Sequence, residues 1–332
     1  MPEQSRFPPD GSTDVPESGG VIMSGAGGLW VVRTDADPPP EVAGAIDALE
    51  PDRNLLLESA EGWRTFTEDV SDAPPELVVA VGGDGTVQGI VRALGPDSGT
   101  GVGIVPSGTG NDFARALELP LDPEEAARVV IEGTRCPVDL LALSVDGEDE
   151  VLAVNAVTLG LSGFVHAELD DETKARWGRL AYLKAALSAA SGLEPFEAEI
   201  SIRRSAQGDP TPFWTGPLLH ISLANGPTAG GGVPIAPDAD PADGRLHLCG
   251  VADATAWDIG KEVPAIFGDG SPGDPWLLDS VASVRLELAS SRPVSVDGEP
   301  REARLLELRI LPGALTVCLD GGGPQGPPEF PV

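Results

Sequence analysis

Two short apolar runs, each ending in a glycine-rich turn and followed by a helical pattern, dominate residues 77–117. Leu77–Val81 ends in the turn GGDGT at residues 82–86, and Val102–Val105 ends in PSGTGND at residues 106–112. Apolar runs bounded by glycine predict buried strands, and apolar residues at i, i+3, i+4 and i+7 predict a helix. A turn between a strand and a helix start exposes backbone N–H groups to a phosphate. The sequence therefore predicts a phosphate site made of two such turns, within a parallel α/β layer.

Both turns contain acidic residues, Asp84 and Asp112. A carboxylate repels a phosphate, and Mg²⁺ is the usual ion that joins one or two carboxylates to substrate phosphates. Neither turn contains a lysine, so the pattern is not a P-loop, and it is not a G-x-G-x-x-G dinucleotide fingerprint either. The alternative is that GGDGT forms only a tight connection in which Asp84 caps the next helix.

The turn GGDGT followed by PSGTGNDFARAL resembles the diacylglycerol kinase catalytic-domain family, which includes bacterial-type lipid kinases and sphingosine kinases. The resemblance implies an ATP-dependent, Mg²⁺-dependent kinase that phosphorylates a lipid hydroxyl, with diacylglycerol or an ether-linked isoprenoid lipid as acceptor. NAD kinases share GGDGT, so an NAD kinase-like small-molecule kinase is the alternative enzyme. The nucleotide-binding residues expected from the resemblance are Gly82, Gly83, Asp84, Gly85, Thr86, Ser107, Gly108, Thr109 and Asn111.

The pattern changes after Leu140, where short strand-like runs separated by turns predict an antiparallel β-sandwich. We therefore predict an N-terminal Rossmann-like parallel α/β domain and a C-terminal β-sandwich domain, and the resemblance implies that the active site lies in the cleft between them. The predicted boundaries are a disordered acidic tail at 1–27, a nucleotide-binding domain at 28–140, a lipid-substrate domain at 141–320 and a flexible tail at 321–332. The strand-like runs are 141–145, 151–157, 197–203, 218–224, 245–251, 281–288, 293–296, 305–310 and 314–319, with helices at 172–190 and 256–267.

Three further acids match metal positions of the family. Asp139, in a Val-Asp-Leu context, is expected to join Asp84 and Asp112 in the catalytic metal network. Asp240 and Asp243 resemble the ligands of a structural Mg²⁺ loop. For each of these acids, an ordinary surface position is the alternative, since the chain is strongly acidic.

The segment Asp297-Gly298-Glu299 follows alternating apolar residues, which is also typical of a hairpin turn. It resembles the Asp-Gly-Glu motif of the family, whose acids face the cleft and activate the attacking hydroxyl. We therefore expect Glu299 or Asp297 to act as the general base, with Asp84 organising the metal and the phosphates.

The chain contains 53 Asp plus Glu and 21 Lys plus Arg, a formal net charge of −32. Such a charge argues against nucleic-acid binding, which depends on basic patches, and is typical of proteins from salt-loving organisms. Three scattered cysteines and the lack of an ~18-residue apolar run indicate a cytoplasmic protein. The expected partner is a lipid at the membrane surface, reached by transient peripheral association, and a homodimer is left open. The cations at residues 174–184 indicate either a helix packed on the cleft with solvated charges or an interfacial helix that contacts anionic lipid.

One segment departs from the family. The first predicted strand, Leu29–Arg33, is followed by Thr34-Asp35-Ala36-Asp37-Pro38 instead of the Asn-Pro-x-Ser-Gly loop that usually lies near the nucleotide phosphates. A catalytically weak lipid-binding homologue is therefore the alternative to an active kinase.

Overall fold

The computed structural model of the chain describes residues 28–160, 194–255 and 273–321. The predicted helices at 172–190 and 256–267, the basic segment at 174–184 and both predicted tails up to residue 27 and beyond residue 321 lie outside these ranges. Every helix within the described ranges is too short or too polar to span a lipid bilayer.

The N-terminal part is a parallel sheet in the order β4-β3-β1-β2 with helices on both faces. Leu77 pairs with Leu29 on one side and with Gly101 on the other, so the strands end at a common carboxyl edge. The elements are β1 Leu29–Arg33, α1 Pro40–Ala48, β2 Arg53–Leu56, α2 Ala60–Asp72, β3 Leu77–Gly82, α3 Asp84–Leu94, β4 Gly101–Pro106, α4 Asp112–Ala116 and α5 Pro123–Glu132.

The two faces of this sheet have separate apolar cores because alternate residues of a strand point to opposite faces. Val31 and Val79 pack with α1 and α5 on one face. Val32 and Ala80 pack with α2, α3 and α4 on the other. This three-layer arrangement places the N-termini of α3 and α4 at the carboxyl edge, where ligands of open α/β sheets bind.

Local signals set the helix starts. The Asp122 carboxylate accepts a hydrogen bond from the Glu125 amide at 3.0 Å, and Pro123 occupies the first helical position, so these two residues set the start of α5. Ser59 caps α2 in the same way through the Gly62 amide at 3.1 Å. Helix α2 was not predicted, although the Ser59 cap is visible in the sequence.

The C-terminal part is antiparallel. Strands β7 and β8 each pair with both β9 and β14, so this part of the sheet folds over and encloses an apolar core. The predicted fold class, an α/β domain followed by an antiparallel β domain, is confirmed. The strands are β5 Thr134–Val145, β6 Val151–Ala153, β7 Ala156–Leu159, β8 Phe196–Arg203, β9 Thr211–Ala224, β10 Thr228–Ala229, β11 Val233–Pro234, β12 Leu246–Ala252, β13 Trp276–Val281, β14 Ser283–Val296 and β15 Glu299–Leu319.

Strand β15 joins the two parts. It is 21 residues long, pairs with β14 near Glu299, and ends in parallel pairing with β4 at Thr316 and Gly101. Strand β5 pairs with β15 along most of this length. A boundary at residue 140 therefore falls inside a continuous strand, and the C-terminal end of β15 completes the parallel sheet.

Several strand predictions were wrong in extent. Residues 283–288 and 293–296 belong to one strand, β14, and the run 218–224 is the end of the longer β9. The run 151–157 is divided into β6 and β7 at Val154 and Asn155. The runs 305–310 and 314–319 are one strand, because β5 supports β15 across the irregular register between Leu311 and Leu315.

Candidate active site

The two glycine turns are in direct backbone contact. They follow the adjacent parallel strands β3 and β4, and the Ser107 amide donates a hydrogen bond to the Gly82 carbonyl at 3.0 Å. A Cβ atom added at Gly83 would lie 3.1 Å from Gly108 Cα, and one added at Gly108 would collide with Gly83 Cα. Glycine is therefore required at this crossing because no side chain fits between the turns.

Asn111 closes the second turn. Its backbone is left-handed (φ 52°), and its side chain both donates to the Gly108 carbonyl at 2.8 Å and accepts from the Gly108 amide at 3.1 Å. This pair of hydrogen bonds fixes the loop between β4 and α4. Ser107 and Thr109 lie in the same loop and are exposed.

Asp84 and Asp112 lie on either side of Gly110. A Cβ atom added at Gly110 would be 3.0 Å from Asp84 Oδ2 and 3.2 Å from Asp112 Oδ2. Asp84 Oδ1 accepts a hydrogen bond from the Phe113 amide at 3.0 Å. Burial raises the pKa of Asp84, the Phe113 amide opposes that rise, and the nearby Asp112 charge adds to it. The pair therefore concentrates negative charge beside the phosphate turns.

Asp112 also reaches the C-terminal part. Its carboxylate accepts hydrogen bonds from the Gly231 amide at 2.8 Å, the Gly232 amide at 2.7 Å and the Thr228 hydroxyl at 3.1 Å. The helix α4 that begins at Asp112 is therefore tied to the segment around β10 and β11. Because three protein donors already bind Asp112, Asp84 has the freer carboxylate of the two.

Asp139 does not lie with this pair. Its carboxylate accepts hydrogen bonds from the Gly244 amide at 2.6 Å and the Gly313 amide at 2.7 Å. Burial raises the pKa of Asp139, the two amides oppose that rise, and the charges of Asp243 and Asp240 add to it. The structure thus divides the predicted network into two places, because β5 carries Asp139 to the loop at residues 240–244.

The acids of that loop are engaged locally. Asp240 Oδ1 accepts from the Ala242 amide at 2.9 Å, and Asp243 Oδ1 accepts from the Arg245 amide at 2.8 Å. Asp243 Oδ2 lies 2.8 Å from His247 Nε2. Across the described ranges, no group of three or more His, Cys, Asp or Glu side chains is arranged to hold a metal ion.

Asp297 is partly buried, and its backbone is left-handed (φ 48°). Its carboxylate accepts hydrogen bonds from the amides of Val154 at 2.7 Å, Asn155 at 2.9 Å and Ala156 at 2.8 Å. Gln88 Nε2 donates a fourth at 3.1 Å. Burial raises the pKa of Asp297, and these four donors oppose the rise. Asp297 also explains why β6 and β7 separate, since it takes the amides that would otherwise continue the strand.

Glu299 differs from Asp297 because its side chain is half-exposed and lines the cleft. Its carboxylate pairs with Arg92 Nη1 at 2.8 Å, and Arg92 Nε donates to the Leu152 carbonyl at 3.2 Å. Arg92 Nη2 is buried without a hydrogen-bond partner. Of the two acids predicted as base, the structure places Glu299 in the cleft and directs Asp297 into the protein.

A cleft of about 490 Å³ lies between α3 and the turn that carries Glu299. This volume is in the range of pockets for small ligands. Its lining combines the first glycine turn and Glu299 with five residues that were not predicted as site residues. The lining residues are Thr34, Trp63, Gly83, Gly85, Thr86, Gln88, Gly89, Arg92 and Glu299.

Two sequence signals could have found the additional residues. Thr34 follows β1 at the carboxyl edge of the sheet, and its hydroxyl lies 3.1 Å from the Thr86 hydroxyl of the first glycine turn. Gln88 and Arg92 are four residues apart on α3, so they share one helix face. Thr34 thus brings the unusual loop after β1 to the phosphate turn. No local pattern indicates Trp63.

The acids near the turns fit a Mg²⁺ ion of the kind that kinases use. Such an ion is bound by one or two carboxylates and by substrate phosphates rather than by a complete protein cage. Asp84 and Asp112 provide two carboxylates around Gly110, and burial of Asp84 makes a nearby cation favourable.

Comparison with known proteins gives two family matches. A model of the "Diacylglycerol kinase catalytic domain" matches residues 50–143. A model of the "YegS C-terminal NAD kinase beta sandwich-like domain" matches residues 155–319.

Curated relatives extend over most of the chain. A protein named "Probable lipid kinase YegS-like" from Xanthomonas euvesicatoria is 33% identical over 285 residues, covering 82% of this chain and 88% of the relative. A protein of the same name from Pseudomonas aeruginosa is 34% identical over 263 residues, covering 79% and 82%.

Solved structures share the fold. A diacylglycerol kinase from Bacillus anthracis superposes with a TM-score of 0.67 at 20% identity, covering 88% of this chain and 97% of that protein. A yeast NADH kinase gives a TM-score of 0.51 at 14% identity. At these identities the likeness concerns the fold alone.

Proposed function

The chain belongs to the diacylglycerol kinase catalytic-domain family, and we propose that it is an ATP-dependent lipid kinase. It transfers the γ-phosphoryl group of ATP to the hydroxyl of a diacylglycerol-like lipid or an ether-linked isoprenoid lipid. The curated relatives carry lipid kinase names, which supports the substrate class. The acceptor lies at a membrane surface, so the protein associates with the membrane transiently from the cytoplasm.

The observation that carries this proposal is the contact between the two glycine turns. Gly83 and Gly108 touch through their backbones, and Thr86 faces the cleft that Glu299 lines from the other side. The N-terminus of α3 has unpaired amides and the positive end of the helix dipole, which favour an anion. A phosphate chain along these turns brings its terminal group towards Glu299.

Mg²⁺ accompanies the nucleotide in this proposal. Asp84 would hold the ion, and Asp112, fixed by three donors, would support it. Bound there, Mg²⁺ would supply positive charge that offsets the charge of the phosphates. We also propose that Asp240 and Asp243 would bind a structural Mg²⁺ ion. One oxygen of each carboxylate already accepts a hydrogen bond from a nearby backbone amide.

Glu299 accepts the proton of the attacking alcohol. The alcohol oxygen forms a bond to the γ-phosphorus while the bond from that phosphorus to the bridging oxygen of ADP breaks. Because this transition state is loose, orientation and charge stabilisation contribute more than proton removal. Arg92 orients the Glu299 carboxylate through the 2.8 Å ion pair, and Asp297 positions the turn from inside the protein.

Two other functions share some of these features. An NAD kinase-like enzyme would use the same GGDGT turn with NAD as acceptor, and the yeast NADH kinase fold is similar. A catalytically weak lipid-binding homologue would keep the acceptor site but not the transfer, and the altered loop after Arg33 motivates this alternative.

One assay separates the three. The protein is incubated with Mg²⁺, ATP labelled on its γ-phosphate, and either NAD or a panel of lipid alcohols in detergent micelles, at low and at molar salt. We expect label in a lipid, with less transfer to NAD. Transfer to NAD alone identifies the small-molecule kinase, and lipid binding without any transfer identifies the binding homologue.

A further inference from the structure

Of the described residues that line the cleft, Trp63 alone carries a large apolar side chain. The remaining residues are glycines, hydroxyl or amide residues, and the charged pair Arg92–Glu299. The cleft therefore presents one flat aromatic surface within a polar enclosure. A ligand that matches it has one flat apolar ring system and is otherwise polar and charged.

The indole of Trp63 is held in place from two sides. A Cβ atom added at Gly89 would lie 2.5 Å from Trp63 Cη2, so the ring rests directly on the backbone of α3. On its own helix, the ring meets buried Phe66 edge to face, with centroids 6.0 Å apart and planes at 84°. A surface fixed in this way loses little conformational entropy when a ligand stacks on it.

Trp63 also lies at a useful distance from the phosphate turn. Gly89 follows Gly83 by six residues and Gly85 by four, which is roughly 6–9 Å along the helix at 1.5 Å per residue. A nucleoside triphosphate has a flat base at one end and phosphates at the other, separated by a ribose. With phosphates at the glycine turn, the base can extend along α3 towards Trp63.

We propose that the Trp63 indole is the stacking surface for the purine base of the nucleotide, and that Gly89 is required because only glycine lets the indole lie against α3. This assignment rests on the proposed function, since it concerns the ATP site of that enzyme. A fatty acyl chain is the other ligand of a kinase of this class. It fits poorly here because it would cover the partly exposed Arg92–Glu299 ion pair and remove both charges from water.

The test compares two ligands that differ only in the nucleoside. Dissociation constants for ATP and for inorganic tripolyphosphate, each with Mg²⁺, are measured by calorimetry on the full chain and on Trp63→Ala. Stacking of a base on an aromatic side chain predicts a loss of about 5- to 150-fold in ATP affinity, with tripolyphosphate affinity unchanged. Trp63→Phe should restore most of the ATP affinity.

Two further variants keep the result interpretable if Trp63→Ala is unstable. Gly89→Ala keeps the indole but displaces it, and should weaken ATP more than tripolyphosphate. Trp214→Ala removes a half-buried indole of the β domain and should change neither affinity.

Several outcomes would overturn the assignment. One is an equal loss of ATP affinity and tripolyphosphate affinity in Trp63→Ala. Another is an ATP affinity of Trp63→Ala equal to that of the unaltered protein. If that variant also has a higher KM for the lipid, Trp63 belongs to the acceptor site. If the unaltered protein binds neither ligand, the proposed function fails as well. If the unaltered protein binds ATP and phosphorylates a lipid, and Trp63→Ala does both equally well, only the stacking assignment fails.

Discussion

Gln88 Nε2 donates a hydrogen bond to Asp297 Oδ2 across 3.1 Å, although the two residues are 209 positions apart in the chain. The same oxygen accepts the Val154 amide at 2.7 Å, and the other oxygen accepts the amides of Asn155 and Ala156. One carboxylate thus joins α3, the break between β6 and β7, and the turn before β15. The position of Glu299, two residues later, depends on this junction.

Replacing Asp297 should therefore destabilise the fold. In Asp297→Asn, the new amide group faces backbone donors, so buried N–H groups lose their acceptor. We expect a loss of about 3 kcal/mol in the free energy of unfolding, measured by urea denaturation. Asp146→Asn is the matched control, because Asp146 is also a left-handed residue before glycine and accepts two amides, but is exposed. Equal stability of the two variants would contradict the structural role of Asp297.

The crossing of the glycine turns predicts opposite effects for two similar substitutions. Gly108→Ala places a methyl group against the Gly83 backbone, so both stability and ATP affinity should fall. Gly85→Ala meets no atom within 4 Å and lies inside α3, so it should leave stability unchanged or raise it by about 0.5–1 kcal/mol. Its methyl group still projects into the cleft and should weaken ATP binding. Thermal midpoints and ATP titrations measure both effects, and a destabilised Gly85→Ala would contradict the geometry.

The raised pKa of Asp84 predicts a variant that is stable but inactive. Burial and the Asp112 charge disfavour the ionised carboxylate, so Asp84→Asn should not lower the thermal midpoint in the absence of metal. Mg²⁺ with ATP should raise the midpoint of the unaltered protein and have little effect on the variant. Both lipid phosphorylation and slow ATP hydrolysis should collapse in the variant. Equal stabilisation of both proteins by Mg²⁺ and ATP would remove Asp84 from the metal site.

Buried His220 predicts a loss of stability in acid. Its Nε2 lies 2.6 Å from the Ser222 hydroxyl, and burial lowers its pKa from 6.5 to about 4. Between these values the unfolded chain binds a proton that the folded protein does not, so stability falls as the pH drops from 6.5 towards 4. This contribution amounts to about 3 kcal/mol.

His220→Gln isolates that contribution, because the other titrating groups are unchanged. Urea denaturation at several pH values gives the free energy of unfolding of both proteins. The difference between the unaltered protein and the variant should shrink by about 3 kcal/mol as the pH drops from 6.5 towards 4. Parallel pH profiles would show that His220 titrates normally.

Local sequence patterns predicted the parts of the fold that depend on local interactions. Strand β1 has the predicted bounds Leu29–Arg33, and the Asp122 cap marks the start of α5. The glycine turns were also predictable, because their spacing after β3 and β4 follows from strand and helix periodicity. The predicted division into an α/β layer and an antiparallel layer followed from the same periodicities.

The remaining features depend on residues far apart in the chain. The break at Val154 exists because Asp297 accepts its amide from 143 residues away. Asp139 was grouped with Asp84 from a family motif, but the pairing of β5 with β15 carries it to Gly313 instead. The pairing of Arg92 with Glu299 and the packing of Trp63 on Gly89 are likewise tertiary contacts without a local signal.

The central claim is that Glu299 accepts the proton of a lipid alcohol in the cleft beside the two glycine turns. The most direct measurement is transfer of labelled γ-phosphate from ATP to diacylglycerol in micelles by Glu299→Gln, with ATP affinity measured in parallel. Glu302→Gln, an exposed glutamate of the same strand, is the control. The account predicts unchanged ATP affinity, normal transfer by the control, and a fall in transfer nearer 10² than the ~10⁴ upper limit for a lost general base. Wild-type transfer by Glu299→Gln would contradict it.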